Sequence, residues 1–291
     1  MVTTAVLVIL AVSVVALRAW RQSDHRADAR AVARLLAGQV RAPARFDPAM
    51  VADLPEPARR FFLYAIRPGT PLRTAARITM AGRFAMGTKA QPAYLDMTAA
   101  QTLAAPVGFV WDMSARRGIM RLSGSDSESW TRFWMMGLMP VARMGGDPNH
   151  ARSAYGRMVA EAVFWTPAAV LPGRGVRWEQ VDNDVARVTV EHRGLSQSVD
   201  VAVAPDGRPL EVRFERWSNA NPEKVYRLQP FGGYLSAFRE FAGFVLPTHV
   251  EAGNFFGTDR YFPFFAVDVT DIGFPVVNAV KGQSEAAGSV E

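Results

Sequence analysis

Any chemistry in this 291-residue chain falls to four histidines and a few carboxylates, because it has no cysteine. His249 and Glu251 are two apart on an expected strand and share a face, whereas Glu191 and His192 face opposite ways on another. Without an HExxH pattern or an Asp-rich loop, the His249 pair reads as a solvated or hydrogen-bonded histidine rather than a metal site. Glu161 lies mid-helix, three residues after Met158 and four before Trp165, at the flank of an apolar stripe. A buried carboxylate there needs a partner. Arg157, one helical turn earlier, is the expected one, with Arg152 and Arg83 as further candidates. Gln101, among small apolar residues, is a second buried polar candidate. Glu161 is then either half of a surface ion pair or a buried polar contact at a ligand pocket. With His249 or His150 beside it in one cleft, it would be the acid or base of a hydrolase-type enzyme.

Several activity classes lose their support. GxSxG, the P-loop and GxGxxG after a strand are all missing, and Gly232-Gly233 after Pro230-Phe231 reads as a turn. The formal charge is +6. Lys89, Lys224 and Lys281 are the only lysines, so arginine carries nearly all the positive charge. The basic residues are scattered, not gathered on one face, which argues against nucleic acid as a partner.

The element that would position Glu161 is the helix in His150 to Pro172. Tyr155, Met158, Val159, Ala162 and Val163 form its apolar stripe. Asp147 caps the start, Pro148 suits the first turn, and Pro167 and Pro172-Gly173 end it. Strand patterns flank it on both sides, as expected of a helix that a curved sheet wraps around.

Upstream, Val2 to Leu17 has no charged residue, and Ala19 and Trp20 extend the run toward the ~20 residues that span a bilayer. The basic segment and cleavage site of a signal peptide are missing, so an uncleaved anchor is expected. Arg18, Arg21, Arg26, Arg30 and Arg34 all follow the run, and the positive-inside rule places the main domain in the cytoplasm. Asp24 to Val40 reads as an amphipathic helix with Ala27, Ala31, Val32, Leu35 and Leu36 on one side. A Pro- and Ala-rich connector runs from Arg41 to Asp53. Leu54 to Ile66 reads as a short helix capped by Asp53, with Phe61, Phe62, Leu63 and Tyr64 buried on both sides or, alternatively, forming a membrane-surface or partner contact.

Strand signals begin at Thr74: RITMAGRF, then Ala93 to Leu103, then VGFVWDM with Val107, Phe109, Trp111 and Met113 on one face. GIMRLSG and a turn at Gly124 to Ser127 follow, then the Met-rich run Trp130 to Met139. After the helix come VRWEQVD, ARVTVEHRG, SQSVDVAVA and PLEVRFERW, the last two joined as a hairpin at Pro205-Asp206-Gly207. REFAGFVLPTHVEAGNFFG and YFPFFAVDVTDI make a final pair joined by Thr258 to Pro263. The tail from Lys281 is expected to be disordered.

The segments LPEPARRFF, AGRF, Ala100-Gln101, GFVWDM, the run led by Asp126, RSAYGRMVAEAVFWTPAAVLPG and GGYLSAFREFAGFVLPTHVEAG occur in an order that resembles an uncharacterised bacterial family. Its members are membrane-anchored and carry a domain of unknown function. The resemblance runs from about Leu54 to Ile272 and implies no established activity. In architecture the chain is similar to the bacterial lipoprotein-carrier and lipoprotein-receptor half-barrels, which implies an apolar cavity for acyl chains and an extracytoplasmic domain. That conflicts with the positive-inside rule. Fold alone does not set function.

The expected fold is α+β, mainly β: a curved antiparallel half-barrel around one long helix, with an N-terminal membrane helix. Residues 1–22 are the anchor, 23–53 a juxtamembrane helix and linker, 54–275 a single β-rich domain, and 276–291 a tail. The expected function is a non-catalytic module, held in the bacterial inner membrane, that binds a lipid or other apolar ligand without cofactor or metal. Gln101, Phe109, Trp111, Trp134, Met135, Met158, Glu161 and Trp165 are the candidate ligand-contacting residues. The alternatives are an envelope structural or protein-interaction domain, and an enzyme using Glu161.

Overall fold

The structure is a computed structural model and describes residues 2–275. The expected tail at 276–291 lies outside the described residues. Three α-helices, α1 (Val2–Ala37), α2 (Glu56–Ala65) and α3 (Pro148–Trp165), accompany thirteen strands. Six strands precede α3: β1 (Ala75–Ala85), β2 (Tyr94–Ala104), β3 (Gly108–Arg117), β4 (Met120–Ser127), β5 (Trp130–Met135) and β6 (Met139–Gly145). Seven follow it: β7 (Val176–Asp182), β8 (Val185–His192), β9 (Leu195–Val203), β10 (Pro209–Ser218), β11 (Arg227–Phe241), β12 (Phe244–Asn254) and β13 (Phe262–Gly273).

All thirteen belong to one curved antiparallel sheet in the order β6-β5-β4-β3-β2-β1-β13-β12-β11-β10-β9-β8-β7. Each group is a meander, and the two are joined where β1 pairs with β13. The helix between the groups connects the two edge strands, β6 and β7. It must therefore cross the inner face of the sheet, and α3 packs on β3 and β6 from one half and on β9, β10 and β12 from the other. Its expected cap is present: the Asp147 side chain accepts from the amides of Asn149 and His150. The stripe Tyr155, Met158, Val159, Ala162 and Val163 is buried in the main core.

A single 36-residue helix, α1, contains both the apolar run and the expected amphipathic segment. It is long and apolar enough to cross a membrane, and the apolar window is free of burial. Its second half packs on the outer face of β2 and β3. Ala31 and Leu35 form a second small core there with Ala75, Ala104, Val110 and Trp130. The buried face also includes Asp24 and Asp28, which the apolar pattern alone does not show. Arg143 grips Asp24 with both terminal nitrogens at 2.8 Å, and the Trp134 indole donates to it at 2.9 Å. Burial opposes ionisation of Asp24, but these donors hold its pKa below the ordinary carboxylate value. Asp28 is the opposite case: burial raises its pKa despite a 2.9 Å hydrogen bond from Ser125, and burial raises Asp112 nearby as well.

Several local expectations are corrected. Asp53 does not cap α2, whose N-cap is Pro55 without a side-chain bond; Asp47 instead caps a short 3-10 turn at Pro48–Val51. Phe61 and Phe62 are buried, but Leu63 is exposed, so the four-residue run is not buried throughout. Val107 is exposed and lies just before β3, away from Phe109, Trp111 and Met113. The run from Trp130 to Met139 is a hairpin turning at Met136 to Leu138, because Met136 and Gly137 adopt positive φ. Neither expected turn, at Gly124 to Ser127 or at Gly232-Gly233, is one: the first is the end of β4, paired with β3 and β5, and the second is the middle of β11. Glycine is needed there for close approach: a Cβ on Gly232 would lie 2.5 Å from the Val212 carbonyl oxygen, and one on Gly233 2.3 Å from that of Glu251.

Candidate functional site

Between α3 and the inner face of the sheet lies a cavity of about 250 Å³, partly open to solvent. Dry apolar cavities of about 150 Å³ already admit benzene-sized guests. Both meanders contribute walls: Phe84, Trp111 and Phe133 from one, Phe214, Phe231 and Phe265 from the other. Trp111 sits 6.3–6.4 Å, centroid to centroid, from Phe84, Phe133 and Phe265, mostly in tilted or edge contacts. Phe164 and Trp165 close the C-terminal end of α3 over it. The space exists because small residues lie among these rings: Ala160 on α3, Gly233 on β11 and its cross-strand partner Ala252 on β12.

A polar cluster forms part of the wall. Arg157 Nε donates to Glu161 Oε1 at 2.6 Å, and its Nη1 donates to Asp126 Oδ2 at 2.7 Å. The Gln101 amide donates to Glu161 Oε2, and Thr131 donates to Asp126 Oδ1. All four carboxylate oxygens therefore have protein donors. The guanidinium also lies 4.9 Å from the Phe109 ring centroid and 5.0 Å from that of Trp111, within cation–π range. Burial opposes its charge, but Glu161 and Asp126 more than compensate and raise the Arg157 pKa.

A second arginine, Arg216 on β10, lines the same cavity. Its guanidinium lies 4.9 Å from the Phe231 ring centroid, and its Nε is buried without a hydrogen-bond partner. Burial, then repulsion from Arg157, pushes its pKa down to about 10.

Of the expected contact residues, Trp111, Glu161 and Trp165 line the cavity. Gln101 and Phe109 lie one layer behind, against Glu161 and Arg157. Met158 is core, 1% exposed. Trp134 does not reach the cavity; strand alternation turns it to the outer face, where it bonds Asp24 and packs 5.4 Å from Trp20. Met135 ends β5, outside the lining. The sequence reading missed Arg216, although Val212, Phe214 and Arg216 follow period-2 spacing, which places that arginine inward with its apolar neighbours.

Glu161 is not brought together with either proposed helper. His150 Nε2 lies 3.1 Å from the Ser127 carbonyl oxygen at the start of α3. His249 bonds Asp268 at 2.7 Å on the outer face, and its neighbour Val250 faces the cavity. Among the described residues, no three of His, Asp and Glu gather as metal ligands.

Three solved structures have a similar architecture. A LolA superfamily protein from Nitrosomonas europaea is 13% identical, with 75% of this chain and 92% of that one covered and a TM-score of 0.38. A putative outer membrane lipoprotein-sorting protein domain from Vibrio parahaemolyticus is 12% identical, with coverage of 72% and 87% and a TM-score of 0.35. A DUF1329 family protein from Desulfovibrio piger is 9% identical, with coverage of 71% and 88% and a TM-score of 0.39. Likenesses this distant concern architecture and carry nothing about a ligand. No curated protein matches the chain. The sequence profile of a family described as of unknown function, DUF6544, matches residues 44–267, well over half the chain, and the protein belongs to that family.

Proposed function

We propose that this protein is a non-catalytic module that holds a lipid or other apolar small molecule between α3 and the sheet. Its single domain at 54–275 is tethered to the inner membrane by residues 1–22. The observation that carries this reading is the ring-lined cavity of about 250 Å³ at the centre of the fold. Close-packed interiors contain few voids larger than a water molecule, so a void this size, walled by aromatic rings and open on one side, is a binding feature rather than a packing fault. The apolar free half of α1 supports the membrane tether. The volume and the open side suit a slender guest such as an acyl chain.

The test is native mass spectrometry of the full chain purified from a membrane-containing host, followed by organic extraction. The expected result is a stoichiometric apolar molecule. A clean apo protein that also fails to take up a fluorescent fatty-acid analogue sinks the reading and leaves the aromatics as plain core.

A further inference from the structure

The cavity has an excess of donors. Asp126 and Glu161 have every oxygen occupied by Arg157, Thr131 and Gln101. They favour the Arg216 charge only from farther off: among the described residues Arg216 has no ion pair within 4.0 Å, and its Nε has no acceptor. The indole Nε1 atoms of Trp111 and Trp165, two other lining residues, are also buried without acceptors. A buried donor without an acceptor is costly, and more so when it is charged. All three orphans are donors, so a guest that relieved them would have to supply oxygen acceptors.

We propose that the guest is a single-chain amphiphile with an anionic oxygen headgroup, a carboxylate or a phosphate monoester, that pairs with the Arg216 guanidinium while its chain lies among the rings. The inference rests on the apolar-ligand reading and narrows it. The planar guanidinium presents a fork of N–H donors that matches either oxyanion, and it lies over the Phe231 ring, 4.9 Å from its centroid. The bound anion would offset the burial and the Arg157 repulsion that oppose the Arg216 charge. A neutral alcohol of equal chain length fills the same apolar space but offers no charge to Arg216, so headgroup preference isolates the arginine's role.

The experiment uses the full chain in nanodiscs with Trp20→Phe, which removes the tryptophan on the membrane-proximal helix. Quenching of the remaining tryptophans is titrated with bromododecanoic acid, bromododecyl phosphate and bromododecanol, at a pH where both acids are ionised. At least one anion is expected to act at a concentration about tenfold or more below the alcohol, equivalent to about 1.4 kcal/mol. Whichever anion is preferred identifies the headgroup. Arg216→Met should bring the acid-to-alcohol ratio to about one, and Arg216→Lys should keep part of it. Equal potency of acid and alcohol, or a preference that survives Arg216→Met, overturns the proposal. Quenching by all three that is unchanged when Ala252→Leu fills the cavity shows instead that the apolar-ligand reading itself has failed.

Discussion

Arg157 Nε lies 2.6 Å from Glu161 Oε1 one helical turn away, while the same guanidinium reaches Asp126 on β4 at 2.7 Å. The i,i+4 pair is local, but the reach to Asp126 ties the central helix to the first meander. The ring stack on Phe109 and Trp111 makes the arginine a packing residue as well as a charge.

Arg157→Met should therefore be among the most destabilising single changes. It leaves two half-buried carboxylates without their shared cation, a loss of about 3–5 kcal/mol by analogy with broken buried pairs. Urea unfolding of the domain checks it. A change within about 0.5 kcal/mol would show that the carboxylates re-solvate through the open side of the cavity.

Filling the cavity should abolish binding at modest cost to the fold. Ala160→Leu and Ala252→Leu add side-chain atoms at the two small residues facing the rings. Overpacking costs about 1–3 kcal/mol, so Tm should fall while the protein stays folded. The extracted apolar molecule should disappear from the mass spectrum, and its retention in both variants would place the guest elsewhere.

Removing Asp24 should release the docked half of α1. Asp24→Ala strips the acceptor from Arg143 and Trp134, a cost of about 1–3 kcal/mol. Hydrogen exchange should then quicken at amides 24–37 and leave α3 protected. Unchanged exchange in α1 would mean that Ala31 and Leu35 suffice to hold it.

Docking of α1 should also depend on pH, with two opposing signs. Asp28 and Asp112 have folded pKa values above the ordinary value, so their penalty is present at neutral pH and fades as pH falls through the raised values. Asp24, held low, contributes stability above the ordinary carboxylate pKa of about 3.9 that is lost as pH falls through its depressed value. Asp28→Asn keeps an oxygen to accept from Ser125 and removes the charge, so it should raise Tm at neutral pH. The gain should shrink toward zero in mild acid. A gain that is the same at every pH would assign the effect to something other than ionisation.

What could be read from the sequence was what depends on near neighbours. Asp147 and the stripe from Tyr155 to Val163 located α3, because capping and 3.6-residue periodicity are local. The β9–β10 hairpin followed from Pro205-Asp206-Gly207 in the same way. The site was legible where helix spacing sufficed, as for Arg157 with Glu161. It was hidden where partners come from afar: Asp126 reaches Arg157 from 31 residues away, and Asp24 finds Arg143 across 119. Trp134 looked like a lining residue by composition, but strand alternation sets it opposite to Phe133, on the outer face where α1 supplies its partner Asp24. Gly232-Gly233 looked like a turn because the strand that crowds it is distant in sequence.

The unbroken course of α1 sets how far this module can travel. A 36-residue helix is about 54 Å long at 1.5 Å per residue. If its apolar half lies in the bilayer, its other half is already fastened along β2 and β3, and no flexible tether remains between membrane and cavity. Such a part works as a fixed bracket rather than a ferry. Whatever delivers or collects the guest would have to come to it, at a height above the bilayer fixed by the turns of one helix.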